Sequence, residues 1–341
     1  MRARRGARSA LVAVAGLATA VALAACGTTE APSDAATTPG ATTAAPSSGP
    51  VTVQGERGKV ALDAPAQRVV TLEWGFTEDV LALGVTPVGM ADPKGYGDWD
   101  TVAPVPSSTA DVGETVEPNV EAVAALHPDL VVASTDLPAG VTAQLAKRVP
   151  VLVLRGSDAS DPVAYMRRTI TTLGQATGTA DRAEQVLAAY DAKIASGKEA
   201  LDAAGKAAAS FTMADGWLEN GTVSVRMYTP GSFFGAVAAD LGLTNRWTTG
   251  GDKDYGLATT DVEGLTKVTD PGTTFLYVAN DADGGDPFAT GLKDNKVWKQ
   301  LPFVAAGNVQ RIPDGIWMFG GPTSAVAYVD AVVAAVTGSG A

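Results

Sequence analysis

From Val51 onward the chain alternates short β-rich runs with helical segments, and this alternation breaks only once, at a pair of long amphipathic helices. Such alternation is the pattern of a parallel α/β layer, in which a helix carries the chain back over the sheet after each strand. In the first half, residues 68–72 read as a buried strand, 77–83 as a helix stopped by Gly84, and 85–90 as the next strand. Residues 117–126 and 141–149 read as helices, each followed by an apolar strand, 129–133 and 151–154. At Ser157 the pattern changes. Val163, Met166, Ile170 and Leu173 form one apolar helical face ended by Gly178, and Ala183, Val186, Leu187, Tyr190 and Ile194 form a second behind Asp181. A helix over residues 181–204 would be about 36 Å long, enough to cross between two lobes. After Gly205 the alternation returns, with strands at 208–213, 223–228, 274–279 and 309–312 and helices at 233–241, 261–268, 298–306 and 323–336. The expected fold is therefore α/β: two Rossmann-like lobes, 51–180 and 205–341, joined by a single long helix, 181–204, with the ligand cleft between the lobes.

The N-terminus gives an address and contributes nothing to the fold. Arg2, Arg4, Arg5 and Arg8 precede an uninterrupted small and apolar run, residues 10–25, too short for a permanent span of roughly 20 residues and suited to a signal peptide over 1–25. The run ends in Leu23-Ala24-Ala25-Cys26, and Cys26 is the only cysteine. This resembles the lipobox of bacterial lipoproteins, which implies diacylation of Cys26 and an extracytoplasmic protein lipid-anchored to the cell membrane. Residues 26–50 are almost entirely Thr, Ala, Ser, Pro and Gly, a composition that cannot bury enough apolar surface to fold and reads as a tether.

With no second cysteine there is no disulfide, and the fold rests on core burial. Loss of the four leader arginines takes the net charge from −12 to −16, which argues against nucleic acid as a partner. His127 is the sole histidine, in a Leu-His-Pro-Asp turn, so neither a histidine-rich metal site nor a Ser-His-Asp triad is supported. Gly231-Ser-Phe-Phe-Gly235 lacks the spacing of a nucleophile elbow. Asp281, Asp283 and Asp286 lack EF-hand spacing and read as a solvated loop. No catalytic residue, resident metal or cofactor is expected.

Four stretches carry a family resemblance: Arg68-Val-Val-Thr-Leu-Glu-Trp74, the run from Glu78 to Gly89, the run from Glu117 to Val132, and Ile316-Trp-Met-Phe-Gly-Gly321. In order and spacing they resemble the iron-siderophore and cobalamin class of periplasmic binding proteins over residues 51–337. The resemblance implies a monomeric, non-enzymatic receptor of an ABC importer that captures a ferric siderophore and delivers it to a permease dimer. Iron would be held by the chelator. It also implies one docking glutamate per lobe, and Glu121 and Glu263 match by position, although an acid in a first helical turn is favoured by the dipole alone. A helical connector resists hinging, so little closure is expected on capture.

Cleft residues are expected at the C-terminal ends of strands and in the loops after them. That rule selects Trp74, Tyr96, Arg155, Trp217, Arg226 and Trp317. The aromatic rings would wall a chelate and the arginines would pair with its oxygens. Packing roles for the aromatic residues and an ion pair for Arg155 are the competing readings. Few arginines in the cleft argue for a hydroxamate or citrate-hydroxamate chelate. A cobalamin or haem receptor on the same scaffold is the nearest alternative; an extracytoplasmic hydrolase is the alternative from another class.

Overall fold

The computed structural model describes residues 49–338. The leader, Cys26 and the tether up to residue 48 lie outside them. The first lobe opens with a hairpin, β1 (Val51–Gly55) and β2 (Gly58–Leu62), that packs against the lobe's edge. A five-stranded parallel sheet follows, made of β3 (Val69–Thr71), β4 (Gly89–Met90), β5 (Ala110–Asp111), β6 (Leu130–Ser134) and β7 (Val151–Leu154) in the order β5-β4-β3-β6-β7. Its intervening helices are α1 (Trp74–Ala82), α2 (Pro93–Trp99), α3 (Val120–Ala125) and α4 (Ala139–Leu145).

The period-2 geometry of the strands builds two cores, one on each face. Val69, Leu130 and Val132 join Phe76 and Val80 of α1, while Val70, Val131 and Ala133 join Val123 of α3 and Leu145 of α4. The strand order reverses between β3 and β6, which opens a crevice at their C-terminal ends, where ligands of doubly wound sheets bind.

Two helices carry the chain to the second sheet, α5 (Pro162–Thr177) and α6 (Ala180–Ala203). Gly178 ends α5 at φ 71°, a left-handed stop that glycine adopts without a Cβ penalty. Thr179, not Asp181, occupies the N-cap of α6, and Asp181 lies in its first turn, where a carboxylate meets the positive end of the helix. Ala183 packs into the first lobe's core, Tyr190, Ile194 and Leu201 into the second lobe's, and Leu187 touches both.

The second lobe's sheet is mixed. It comprises β8 (Ser210–Glu219), β9 (Thr222–Tyr228), β10 (Thr244–Asn245), β11 (Leu257–Thr260), β12 (Thr274–Val278) and β13 (Val309–Arg311), ordered β11-β9-β8-β12-β13 with β10 beside the start of β8. Helices α7 (Phe233–Asp240) and α10 (Pro322–Thr337) cover one face together with α6; α8 (Lys296–Gln300) and α9 (Pro302–Ala305) cover the other.

Three expectations change here. The strand placed at 208–213 runs on to Glu219 and turns back through Asn220 and Gly221, both at positive φ, as a hairpin that an Asn-Gly pair favours. The helix expected over 261–268 is only a 3-10 turn, Gly264–Lys267: the Asp261 carboxylate caps the Gly264 amide, but the apolar run is too short to continue. Residues 298–306 form two short helices because Pro302 breaks the run at Leu301.

The lobes are tied across their interface. Asn280 donates to the Asp98 carbonyl at 2.7 Å, Trp99 Nε1 to Asp283 at 3.1 Å, and the Thr101 amide to the Gly315 carbonyl at 3.0 Å. Among the described residues no helix is long and apolar enough to cross a membrane.

Candidate ligand-binding site

The end of β3 delivers Glu73 and Trp74 to the crevice as α1 begins. Trp74 half-emerges, and α2 lies so close behind it that a Cβ on Gly95 would come within 2.5 Å of its ring. Across the interface stands the segment before α10, where Trp317 and Phe319 lie on one turn closed by the Gly320 amide on the Trp317 carbonyl at 3.0 Å. Trp317 meets Trp74 edge-on at 5.0 Å, Trp99 at 6.1 Å and Phe319 at 5.2 Å. Phe319 continues the chain of rings to Tyr255 at 5.5 Å and Tyr228 at 6.2 Å. Six rings from both lobes thus form one aromatic wall, with edge-to-face contacts that their quadrupoles favour everywhere except Phe319 on Tyr228, which is stacked.

Strand alternation supplies the polar part of the second lobe. Asp215 and Trp217 on β8 share a face with Arg226 and Tyr228 on β9, and Asp215 lies directly opposite Arg226. The Arg226 guanidinium sits 5.4 Å from the Phe319 ring centre and binds the buried Asp215 carboxylate through two hydrogen bonds, one of 2.9 Å from Nε to Oδ1 and a second from Nη2 to Oδ2. Tyr228 donates to the same carboxylate at 3.0 Å.

The structure brings Trp74, Trp317 and Arg226 together around Phe319. Trp217 is 43 % exposed toward the hairpin end of the Arg226 face, in a strand and not in a loop. Tyr96 is a correction: it is fully buried, its hydroxyl donates to the Ala103 carbonyl at 2.5 Å, and no part of it is left for a ligand. Arg155 stands at the rim, but Glu56 and Asp158, each at 3.2 Å, already neutralise it. Glu121 is exposed on the first turn of α3 and is held by both terminal nitrogens of Arg148. Glu263 is exposed and precedes the 3-10 turn. Of the acidic loop, Asp281 and Asp286 bind Arg311 and Asp283 accepts from Trp99, so the loop's acids have partners within the chain.

Residues that sequence reasoning missed are Glu73, Trp99, Asp136, Tyr255 and Phe319. Glu73 and Phe319 were within reach: the strand-end rule that selected Trp74 covers its neighbour, and the Ile316–Gly321 stretch that holds Trp317 holds Phe319 too. Tyr255 and Asp136, joined by a hydrogen bond from the tyrosine hydroxyl, carry no local signal, since they meet only in three dimensions.

Below the wall a cavity of about 420 Å³, its open mouth included, lies between the lobes. Glu73, Phe76 and Asp79 line it from one side, Phe319, Gly320 and Gly321 from the other. Burial pushes the Glu73 carboxyl up to about 7, and nearby Asp136 adds to the rise, while the Gly75 and Trp74 amides pull it down. Asp79 is also raised well above its ordinary value by burial and then by the charge of Glu78. Deeper still, burial and then Glu78 carry Asp100 up to about 9, so Asp100 keeps its proton at neutral pH.

Residues 69–315 match the family model described as periplasmic binding protein. The chain belongs to the periplasmic binding protein family. It is 30 % identical over 264 residues to the iron(3+)-hydroxamate-binding protein FhuD of Escherichia coli (strain K12), covering 77 % of this chain and 84 % of that one. It is 28 % identical to the Fe(3+)-citrate-binding protein YfmC of Bacillus subtilis (strain 168), over 76 % of this chain and 77 % of the relative. In structure it is similar to the siderophore-binding protein FhuD from Vibrio cholerae solved with Fe3+-Desferal, at a TM-score of 0.71 and 28 % identity over 80 % of this chain and 98 % of that one. The two-lobed α/β fold is the fold of these binding proteins, and the matched span runs from the first parallel strand to the segment just before Trp317.

Proposed function

We propose that this protein is the extracytoplasmic receptor of an ABC importer and captures a ferric siderophore between its lobes, with a hydroxamate or citrate-hydroxamate chelate favoured. The observation that carries the reading is the aromatic wall joined to Arg226, since flat rings suit the apolar flank of a chelate and a guanidinium suits its oxygens. The scarcity of free cations agrees with it: Arg226 and Arg155 both have carboxylate partners, which disfavours a polycarboxylate ligand. Hydroxamate binding by the Escherichia coli relative named above points to the same ligand class.

The rest of the cycle follows from the same reading. Residues 1–25 direct export, Cys26 takes the lipid, residues 26–50 tether the body, and helix 181–204 joins lobes 51–180 and 205–341. Glu121 and Glu263 dock on a dimeric permease, one per lobe, where two separated charges fix orientation. The chelator holds the iron. Calorimetric titration of the purified protein with ferric trihydroxamate, ferric citrate, cobalamin and haem tests the ligand class; saturation by cobalamin or haem alone would keep the fold and replace the ligand.

A further inference from the structure

The seam where α1 of one lobe meets α10 of the other buries three carboxyls. Glu78 is fully buried and spends its oxygens on the Ser324 amide and hydroxyl, at 2.8 and 2.7 Å. Asp79 is 5 % exposed, and its Oδ1 lies so near the opposite lobe that a Cβ on Gly321 would come within 2.0 Å of it. That oxygen has no hydrogen-bond partner among the described residues. Asp100, at the C-terminal end of α2, is fully buried with both oxygens unpartnered, and it lies beside the Glu78 carboxyl.

The groups around the seam leave these acids without a cation. Tyr96, beside Asp100, gives its hydroxyl to the Ala103 carbonyl. Lys94 of α2 pairs with Asp98, and Arg167 and Arg168 of α5 pair with Asp191 and Asp158. Arg155 is held by Glu56 and Asp158, and Arg182 donates to the Ala82 carbonyl at the end of α1. From α10 come Ser324 and the neutral Tyr328, while Asp330 binds Lys193 at the surface. Unpaired carboxylates are costly to bury, and two neighbouring carboxyls can bond only across a proton. Burial and then the charge of Glu78 accordingly raise both Asp79 and Asp100.

We propose that this seam is a proton-operated lock on lobe pairing: protons on Asp79 and Asp100 let α10 dock on Glu78, and their loss opens the α1–α10 contact while each lobe stays folded. Each lobe keeps its own core around its sheet, so opening the seam dissolves neither. In the open seam water reaches the carboxyls and they ionise as ordinary acids, so the closed seam holds more protons. By linkage its advantage therefore falls as pH rises, for Asp100 from the ordinary 3.8 to about 9. The Ser324 hydroxyl also accepts the Trp317 amide at 3.1 Å, so the lock reaches the aromatic wall whatever ligand the cleft takes.

Hydrogen–deuterium exchange of the ligand-free protein, corrected for the intrinsic rate at each pH, tests the lock. The range from pH 7 to 8.5 lies above the value of about 7 at which Glu73 titrates. Each proton lost on opening changes the equilibrium about tenfold per pH unit, so protection of the Ser324 and Ala325 amides should fall at least about tenfold over this range. At every pH these amides should be less protected than those of β6 and β12, as opening without unfolding requires. In Asp100→Asn, alone and with Asp79→Asn, the fall should shrink to less than about threefold, because these side chains have no proton to lose. Wild-type protection that does not change with pH, or that equals the protection of β6 and β12, overturns the lock, and neither result depends on a variant that folds. An undiminished fall in the folded double variant overturns the assignment to these two acids.

Discussion

Glu78 of α1 caps α10 from the other lobe: its Oε1 accepts the Ser324 amide at 2.8 Å and its Oε2 accepts the Ser324 hydroxyl at 2.7 Å. The N-cap position of α10 is Gly321, which offers no side chain, so one of the orphan amides of this helix is satisfied only when the lobes meet. The contact is fully buried, and it fixes Gly320 and Gly321 beside the cavity. Lobe association and site geometry therefore depend on the same carboxyl.

Ser324→Ala removes the hydroxyl and leaves Glu78 with one donor fewer in a buried setting. It should lower stability by about 1–3 kcal/mol in urea unfolding. A loss within measurement error would show that the contact is not a latch.

Glu73 gives stability a pH dependence of known sign. A carboxyl whose folded pKa lies above its unfolded value contributes stability below the unfolded value and loses it as pH rises through the folded one. Burial places Glu73 at about 7 against an ordinary 4.5, so the ligand-free protein should lose stability between pH 4.5 and 7, on the order of 2 kcal/mol from this group. Asp100, raised to about 9 by burial and Glu78, continues the decline above pH 7. Glu73→Gln should flatten the lower part of the thermal-midpoint profile and leave the upper part in place.

Arg226 cannot be removed cleanly. Arg226→Ala strands the buried Asp215 carboxylate, and breaking such a pair costs about 3–5 kcal/mol. Pairing the change with Asp215→Asn should recover part of the stability, as unfolding curves would show, while affinity for the ferric chelate stays lowered in both variants. Full recovery of affinity in the double variant would make Arg226 a structural residue only.

Glu121→Ala and Glu263→Ala should leave siderophore affinity as it is and abolish iron uptake in cells expressing the permease. The Arg148 pair contributes little to stability, because Glu121 remains 76 % exposed beside it and solvent screens the charges. Uptake at wild-type rates in the double variant would remove the docking role.

The layered fold was legible because its signals are local. Val69 to Thr71, Leu130 to Ser134 and Val151 to Leu154 are unbroken apolar strands, and the faces of α5 and α6 repeat at three and four residues. The β8–β9 hairpin was equally readable from Asn220-Gly221, a signal that went unused. The site was only half legible. Strand ends marked Trp74, Arg226 and Trp317, but Tyr96 fell to the core, and the charge pairing of Arg155 depends on Glu56, 99 residues away in the chain. Contacts of that kind, like Asp136 with Tyr255, exist only after folding.

The most direct measurement is tryptophan fluorescence of the purified protein titrated with ferric siderophores, iron-free siderophores, cobalamin and haem. Of the six tryptophans, Trp247 and Trp298 are buried in the second lobe's core, while Trp74, Trp99 and Trp317 belong to the aromatic wall and Trp217 lies on the Arg226 face. A ferric hydroxamate in the cleft should quench the greater part of the emission, saturably and at one equivalent, and Trp317→Phe should reduce the amplitude. Absence of quenching by every ferric siderophore would contradict the receptor function proposed for this chain.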